Sequence, residues 1–254
     1  MAYNRIQVKL IPKKQEFTFG AFCHLVSGMQ PSTSDKILNA AEELFARSHY
    51  DAVSIRQITQ AAGVKLGLAH YHFQSKEELF NSVIRRRIDL LSEYRVKLLE
   101  RFLELNEGKP LPIEQLVAAF ITPYLFWSLT GGPGWRNYAR LVAGLLGYNL
   151  AALKDLFDPT AQVFISELRR SMPKANEAGI QWGFDFMVGI MCNTFAEVDR
   201  IRELSGGLCS TEQIEESCRY MVTFVAAGLG RLSENERYDF TIPLDILASL
   251  KNST

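Results

Sequence analysis

The chain has 254 residues, of which 47 % are hydrophobic and 22 % are charged, a composition typical of a soluble globular protein with one large domain or two unequal ones. Its 28 lysine and arginine residues balance its 28 aspartate and glutamate residues, which excludes a uniformly basic nucleic-acid binder and would require any DNA-binding charge to lie on one surface. No apolar run approaches the ~20 residues of a membrane span, so we expect a cytoplasmic protein without a membrane partner.

The N-terminal residues 1–33 are expected to form an extension, because they lack helical periodicity and carry four basic residues against one acidic residue. Residues 30–34 predict a linker. The first helix follows, with its N-cap oxygen supplied by Ser34 or Asp35. Its apolar side chains recur at helical spacing and form one face: Ile37, Leu38, Ala41, Leu44 and Phe45.

Two short helices are predicted next. The S-x-x-Q sequence from Ser54 to Gln57 is a capping box, so the second helix begins at Ile55, and Gly63 ends it by adopting the left-handed conformation. A third helix covers residues 65–72. This arrangement is typical of a helix-turn-helix, whose second helix can enter the ~12 Å wide major groove of DNA and present side chains to base edges.

The rest of the sequence also keeps a helical period, and its fold class is all-α because no alternating strand pattern persists. Ser75 to Glu78 forms a second capping box, which opens a long helix from Lys76 to about Leu105. Further helices are predicted over residues 113–129, 135–146 and 150–172, and apolar stripes cover residues 180–201 and 214–232. We divide the chain into the extension (1–33), a three-helix domain (34–80), a larger helical domain (81–232) and a C-terminal tail (233–254).

The segment from Lys36 to Ile84 closely resembles the N-terminal DNA-binding domain of the TetR family. The family signature contains A-A-x-x-L-F, a block of the form T/S-hydrophobic-R-x-I followed by A-G-V, and Y-x-H-F-x-S-K-E-x-L. Its counterparts here are residues 40–45, 54–58, 62–64 and 71–79. The resemblance implies a bacterial homodimer that binds a palindromic DNA operator as a repressor and is released when a small ligand enters its C-terminal domain.

The recognition helix departs from the commonest family pattern. Many members read S-K-G-T-L-Y-H-H-F there, whereas Lys65 to Phe73 read K-L-G-L-A-H-Y-H-F. This is more similar to a subgroup with N-L-A-A-V-N-Y-H-F, which includes regulators of lipid metabolism. Because the differences lie where base contacts would be made, the operator sequence cannot be transferred from the family.

Nine residues are candidates for DNA contact: Ser54, Arg56, Lys65, Leu66, Gly67, His70, Tyr71, His72 and Lys76. Lys65 and His70 would reach base edges or phosphates, and Gly67 would let the backbone approach DNA closely. The other polar members would contact phosphates, which position the helices without determining sequence. The alternatives for the two histidines are a metal site, which lacks a third ligand, and a solvated helix face.

The larger domain is rich in aromatic residues that would line an apolar effector cavity, although each is individually compatible with an ordinary core. The candidates are Phe126, Trp127, Tyr138, Phe164, Trp182 and Phe186. No cluster of polar groups indicates a charged ligand, so we expect a small hydrophobic effector. The two apolar stripes are candidates for dimerisation or for the interior of one subunit, with Phe184, Met187, Met191, Phe195, Met221, Val222 and Val225 as the predicted contacts.

Several alternatives remain open. The extension is a basic arm that contacts DNA, a disordered tail, or an upstream addition to a chain that natively starts at Met29; we favour the last two. The four cysteines (Cys23, Cys192, Cys209 and Cys218) lack C-x-x-C spacing and are expected to be reduced, with no disulfide, metal or cofactor. An architectural DNA-binding protein of the same fold is the second functional hypothesis. An enzyme is not expected, because the sequence has no phosphate loop, G-x-S-x-G or H-E-x-x-H motif.

Overall fold

A computed structural model describes residues 31–48, 50–145, 154–196 and 200–234 of the chain. Within these ranges it contains ten α-helices, a single 3-10 turn and no strand, which confirms the all-α prediction. Most of the N-terminal extension and the C-terminal tail after residue 234 lie outside the described residues, so the alternatives for the extension remain predictions.

Three helices form the N-terminal unit: α1 (Thr33–Arg47), α2 (Ile55–Ala61) and α3 (Leu66–His72). The predicted cap of α1 was wrong: Ser32 rather than Ser34 or Asp35 is the N-cap, and Asp35 completes a capping box with it. The linker is therefore shorter than predicted, because Ser32 accepts a hydrogen bond from the Asp35 amide at 3.1 Å and starts the helix earlier. The capping box at Ser54 is confirmed, with Gln57 as its partner.

The long helix α4 (Lys76–Leu105) begins and ends where the sequence predicts. The Ser75 hydroxyl accepts a hydrogen bond from the Glu78 amide at 3.0 Å. The Glu78 carboxylate, however, accepts from the Gln74 amide and not from Ser75, so this cap is not the reciprocal box that the sequence suggests. With 30 residues, α4 extends about 45 Å and runs from the N-terminal unit through the rest of the molecule.

The remaining helices build the larger domain. They are α5 (Ile113–Thr130), α6 (Pro133–Leu145), α7 (Lys154–Ser171), α8 (Glu177–Ala196), α9 (Arg200–Leu204) and α10 (Ile214–Ser233). The predicted boundaries differ by a few residues, and the predicted 150–172 helix is described only from Lys154. The stripe predicted over residues 180–201 is divided between α8 and α9, and residues 197–199 between them lie outside the described part.

One continuous core joins the two units. In the N-terminal unit it contains Ile37, Phe45 and Ile58, and it continues along α4 through Ile84, Ile88 and Leu91 into the larger domain. Helix α1 packs directly against α6, while α5 packs against α4 and α10. The N-terminal helices are therefore attached to the larger domain both by the shared helix α4 and by the α1–α6 contact, which fixes the position of α3 relative to the larger domain.

Candidate DNA-binding surface and effector cavity

Helix α3 is held by one buried face and a tight turn. Gly63 adopts a φ of +66°, the conformation that favours glycine, and the Val64 amide donates to the Thr59 carbonyl at 3.0 Å. Ala69 is fully buried and Phe73, at the C-cap, is 6 % exposed. These two side chains fix the rotation of α3 about its own axis, so its other face is presented outward in one orientation.

The outward face of α3 carries most of the predicted DNA contacts. Lys65, Gly67, His70 and His72 are exposed, and Tyr71 is 81 % exposed, which is an unusually solvated position for a tyrosine. No side chain or backbone atom lies within 4 Å of a β-carbon built on Gly67, so the surface beside it is open. Leu66, a candidate, and Leu68, which was not one, are also exposed and add apolar surface to α3.

The remaining candidates at this surface have structural partners of their own. The Ser54 hydroxyl caps α2 by accepting from the Gln57 amide at 3.2 Å and donates to the Gln57 side chain at 2.8 Å. The Lys76 ammonium lies 4.1 Å from the centre of the Tyr50 ring, a cation–π contact that holds its side chain at the start of α4. Arg56 is exposed on the first turn of α2. The structure thus brings all nine candidates to one end of the molecule.

A cavity of about 240 Å³ lies inside the larger domain, between α4, α5, α6, α7 and α8. Its walls are largely apolar and include Leu91, Phe120, Val142, Phe157 and Met191. The polar residues at the cavity are Arg95, Tyr124, Tyr138, Asp158, Thr160, Asp185 and Cys192. Burial raises the pKa of the Tyr124 and Tyr138 hydroxyls well above the usual range, so both remain neutral.

The aromatic residues predicted to line the cavity have three different environments. Tyr138 lines it. Trp127 and Phe164 do not line it but are buried in the core, where the Trp127 ring stacks on Trp135 and Phe164 packs edge-on against the lining residue Phe120. The assignment of the other three is corrected: Phe126, Trp182 and Phe186 are on the exposed surface, because their positions on α5 and α8 face away from the helices that enclose the cavity.

Sequence reasoning missed Arg95, the basic residue at the cavity. It lies on α4 four residues after Leu91 and four before Leu99, a spacing that places all three side chains on the same buried face. The signal that could have identified it is a charged residue at a helix position where the spacing predicts an apolar one. Its side chain is 4 % exposed, and burial lowers the pKa of its guanidinium to about 10, so it remains protonated at neutral pH.

Most of the side chains predicted to make dimer contacts face the interior of the protomer. Phe184, Met187 and Met191 on α8 and Met221 and Val225 on α10 are buried within the protomer, which fits the alternative that the two stripes form the interior of one subunit. Val222 is half-buried against the same core, and the side chain of Phe195 lies outside the described part. The exposed large side chains on these helices are instead Trp182, Phe186, Tyr220, Phe224 and Leu232.

The described ranges contain no group of three or more histidine, cysteine, aspartate or glutamate side chains able to hold a metal ion. None of the helices seen there is both long enough and apolar enough to cross a membrane.

Family models match both units of the chain. Residues 37–83 match the model for bacterial regulatory proteins of the tetR family, which covers α2, α3 and most of α1. Residues 118–228 match the model for the tetracyclin repressor-like C-terminal domain, which includes most of the cavity-forming helices and most of α10. The two models together account for more than half of the chain.

Curated relatives are similar over shorter segments. The chain is 28 % identical over 93 residues to the HTH-type transcriptional repressor KstR2 of Mycolicibacterium smegmatis, an alignment that covers 37 % of this chain and 42 % of that protein. It is 38 % identical over 50 residues to the HTH-type transcriptional regulator QacR of Staphylococcus aureus, which covers 20 % of this chain and 27 % of QacR. The chain thus spans less than half the length of these relatives, which are transcriptional regulators rather than enzymes.

Solved structures show the same fold over most of the chain. The ketosteroid transcriptional regulator KstR2 of Mycobacterium tuberculosis superimposes with a TM-score of 0.54 at 16 % identity, covering 79 % of this chain and 96 % of that one. AibR in complex with isovaleryl coenzyme A and operator DNA gives 0.53 at 18 % identity, covering 76 % and 97 %. With both of its helical units matched by family models and its fold shared with solved regulators, the chain belongs to the TetR family of bacterial regulatory proteins.

Proposed function

We propose that the protein is a dimeric, sequence-specific DNA-binding repressor that leaves its operator when a small, mainly hydrophobic ligand occupies the cavity between α4 and α8. The observation that carries the proposal is the outward face of α3, where polar and aromatic side chains are exposed on a helix whose opposite face is buried. The proposed DNA-binding unit is residues 34–80, and residues 81–232 form the ligand-binding and dimerisation unit.

The side chains on α3 divide into two roles. Tyr71 and His72, near the end of the helix, would hydrogen bond phosphates and position α3 in the major groove. Lys65 and His70 would reach base edges, and Gly67 allows the DNA to approach the backbone because no neighbouring atom occupies that space. Arg56 would hold the start of α2 to the DNA backbone, whereas Ser54 contributes mainly by capping that helix.

Dimerisation would use the exposed side of α8 and α10. Trp182 and Phe186 lie one helical turn apart on α8, with ring centroids 5.6 Å from each other. Tyr220 and Phe224 are likewise four residues apart on α10, and both are exposed. Large exposed aromatic side chains on two helices that pack together form the kind of apolar patch that marks protein interfaces. A two-fold dimer is also required by a palindromic operator, whose half-sites lie roughly 34–36 Å apart.

Ligand binding would be coupled to DNA release through α4 and the α1–α6 contact. Helix α4 starts beside the recognition helix and later supplies Ile88, Leu91 and Arg95 to the cavity wall. A ligand that binds more tightly when the two DNA-binding units are spread apart would shift the population toward that state. The AibR complex shows that this fold can accommodate both an acyl-coenzyme A and operator DNA.

The recognition helix supports a place in the subgroup that includes regulators of lipid metabolism, since its last four residues read H-Y-H-F. The second functional candidate is an architectural DNA-binding protein without an inducer. The cavity favours the ligand-responsive form, because an architectural protein has no need for a largely apolar space beside α4.

The test is selection of bound sequences from random duplex DNA by the full chain and by a variant with Tyr71→Ala and Lys65→Ala. We expect the wild type to enrich a palindrome and the folded, dimeric variant to enrich none. A matched control, Lys97→Ala on the exposed side of α4, should enrich the same palindrome as the wild type. The proposal would be contradicted if the variant recovered the wild-type sequence, or if folded dimeric wild type enriched nothing.

A further inference from the structure

We propose that the ligand of the cavity is a small carboxylic acid with an apolar chain, and that its carboxylate binds the buried guanidinium of Arg95. The inference rests on the proposed function only in treating the cavity as the effector site. It replaces the expectation of an uncharged hydrophobic effector with a defined chemical class.

The first argument is that Arg95 has no anionic partner among the described residues. Its Nε donates to the Phe120 carbonyl at 2.8 Å, and its Nη2 contacts the Met191 sulfur at 3.4 Å, a weak acceptor. The guanidinium also lies 3.8 Å from the centre of the Phe120 ring. No carboxylate in the described part of the chain forms an ion pair with it. A buried charge without a counter-ion is costly, so its retention on an apolar helix face indicates a binding role.

The second argument is the position of the guanidinium in the cavity. Arg95 is among the residues that line the cavity, so its free donors are available to a molecule inside. A guanidinium presents paired N–H groups in a plane and therefore matches the two oxygens of a carboxylate. Tyr138 lines the same space as Arg95 and remains protonated, so its hydroxyl can donate to the same anion.

The aspartates at the cavity do not neutralise Arg95. Asp185 is exposed and Asp158 is half-buried, so both lie toward solvent, whereas Arg95 is almost fully enclosed. Among the described residues neither aspartate forms an ion pair with Arg95, and neither contributes to the pKa of its guanidinium. The cavity therefore has a cationic inner wall and an acidic opening, which orients an amphipathic acid with its carboxylate inward.

The size of the cavity limits the length of the chain. A volume of about 240 Å³ equals roughly eight water molecules at ~30 Å³ each, which is enough for an organic molecule of about ten non-hydrogen atoms. Octanoate has this size. Its hydrocarbon chain would contact the apolar wall formed by Leu91, Val142 and Met191.

The test is calorimetric titration of the full chain, without DNA, with octanoate, octanamide and octylammonium at neutral pH. These probes have nearly the same size and differ in charge. We expect octanoate to bind at least about tenfold more tightly than octanamide. Charge-assisted hydrogen bonds are roughly twice as strong as neutral ones, and the difference of about 1.4 kcal/mol corresponds to a tenfold change in affinity. Octylammonium should bind weakest. Equal affinity for octanoate and octanamide, preference for octylammonium, or no heat with octanoate would overturn the proposal.

Variants locate the site. Arg95→Met should reduce octanoate affinity by at least about tenfold and leave octanamide affinity nearly unchanged, whereas Arg101→Met, the same substitution at an exposed position of α4, should change neither. Unchanged octanoate affinity in folded Arg95→Met would overturn the assignment, and the wild-type comparison holds even if that variant fails to fold. Octanoate binding without any effect on the selected operator would instead contradict the proposed function and leave this inference intact.

Discussion

Replacement of Glu42 by glutamine tests the junction between the DNA-binding unit and the rest of the molecule. Glu42 lies on α1, is 3 % exposed, and pairs with two arginines of α4. Its carboxylate accepts a short hydrogen bond from Arg86 and contacts Arg87 Nη2 at 3.2 Å through both oxygens. Arg87 also lies over the Trp135 ring of α6. One carboxylate therefore connects α1, α4 and α6.

The size of the effect follows from the burial of these groups. Glutamine keeps the shape of the side chain but removes the charge that two guanidinium groups share, and hydrogen bonds to charged groups contribute about 1.5–3 kcal/mol against about 1 kcal/mol for neutral ones. The arginine side chains are 25 % and 23 % exposed, so solvent offsets part of the loss. We expect Glu42→Gln to lower the free energy of unfolding by about 2–3 kcal/mol.

The assay is equilibrium unfolding in urea at one fixed protein concentration, since dimer stability depends on concentration. The matched control is Glu43→Gln, the neighbouring residue, whose ion pair with Arg47 is exposed on both sides. That substitution should cost less than about 0.5 kcal/mol. If both variants lose the same stability, or if Glu42→Gln loses less than its control, the buried network does not stabilise this junction.

Three further predictions address other parts of the molecule. Phe224→Asp should convert the dimer into a folded monomer in sedimentation experiments, whereas Leu204→Asp, at an equally exposed apolar residue of α9, should not; a dimeric Phe224→Asp protein would place the interface elsewhere. Burial raises the pKa of the Cys192 thiol to about 11, so maleimide should modify exposed Cys209 in the native protein well before Cys192. Equal modification rates of the two cysteines in peptide mass spectrometry would contradict the described burial. The Arg169 guanidinium is hydrogen bonded to Glu177 and lowers the pKa of that carboxyl to about 2. The stabilising contribution of this pair should therefore persist above pH 4.5 and disappear as the pH falls toward 2. An NMR titration of Glu177 with a midpoint near 4.5 would show that the pair does not form in solution.

Local signals in the sequence predicted the helices of the N-terminal unit well. The ends of α4 and the turn at Gly63 follow from capping residues and breakers, which act within a few positions of the chain. The cap of α1 was misplaced by two or three residues because Ser32, Ser34 and Asp35 are all good N-cap residues, and only the fold shows which one is used.

The outward face of α8 could not be predicted, because apolar side chains lie on most sides of this helix. On α8, Phe184 is buried and Phe186 is exposed, although both are phenylalanines two positions apart. A helix that packs against its own subunit and also exposes aromatic residues has weak periodicity, so the sequence does not show which side is inside. Arg95 was missed because α4 has a regular apolar face, and one charged residue on that face does not disturb the overall pattern.

The central claim is that one dimer couples ligand binding to DNA release. Its most direct test is to measure the affinity of a bound ligand with and without the selected operator, and the affinity of the operator with and without that ligand. The ligand is taken from octanoate, octanoyl-coenzyme A and a lipophilic drug, whichever gives heat in calorimetry. The account predicts that each partner weakens the other by the same factor, because thermodynamic coupling is reciprocal. Ligand affinity that is identical in the presence and absence of operator, or no binding by any of the three, would contradict it.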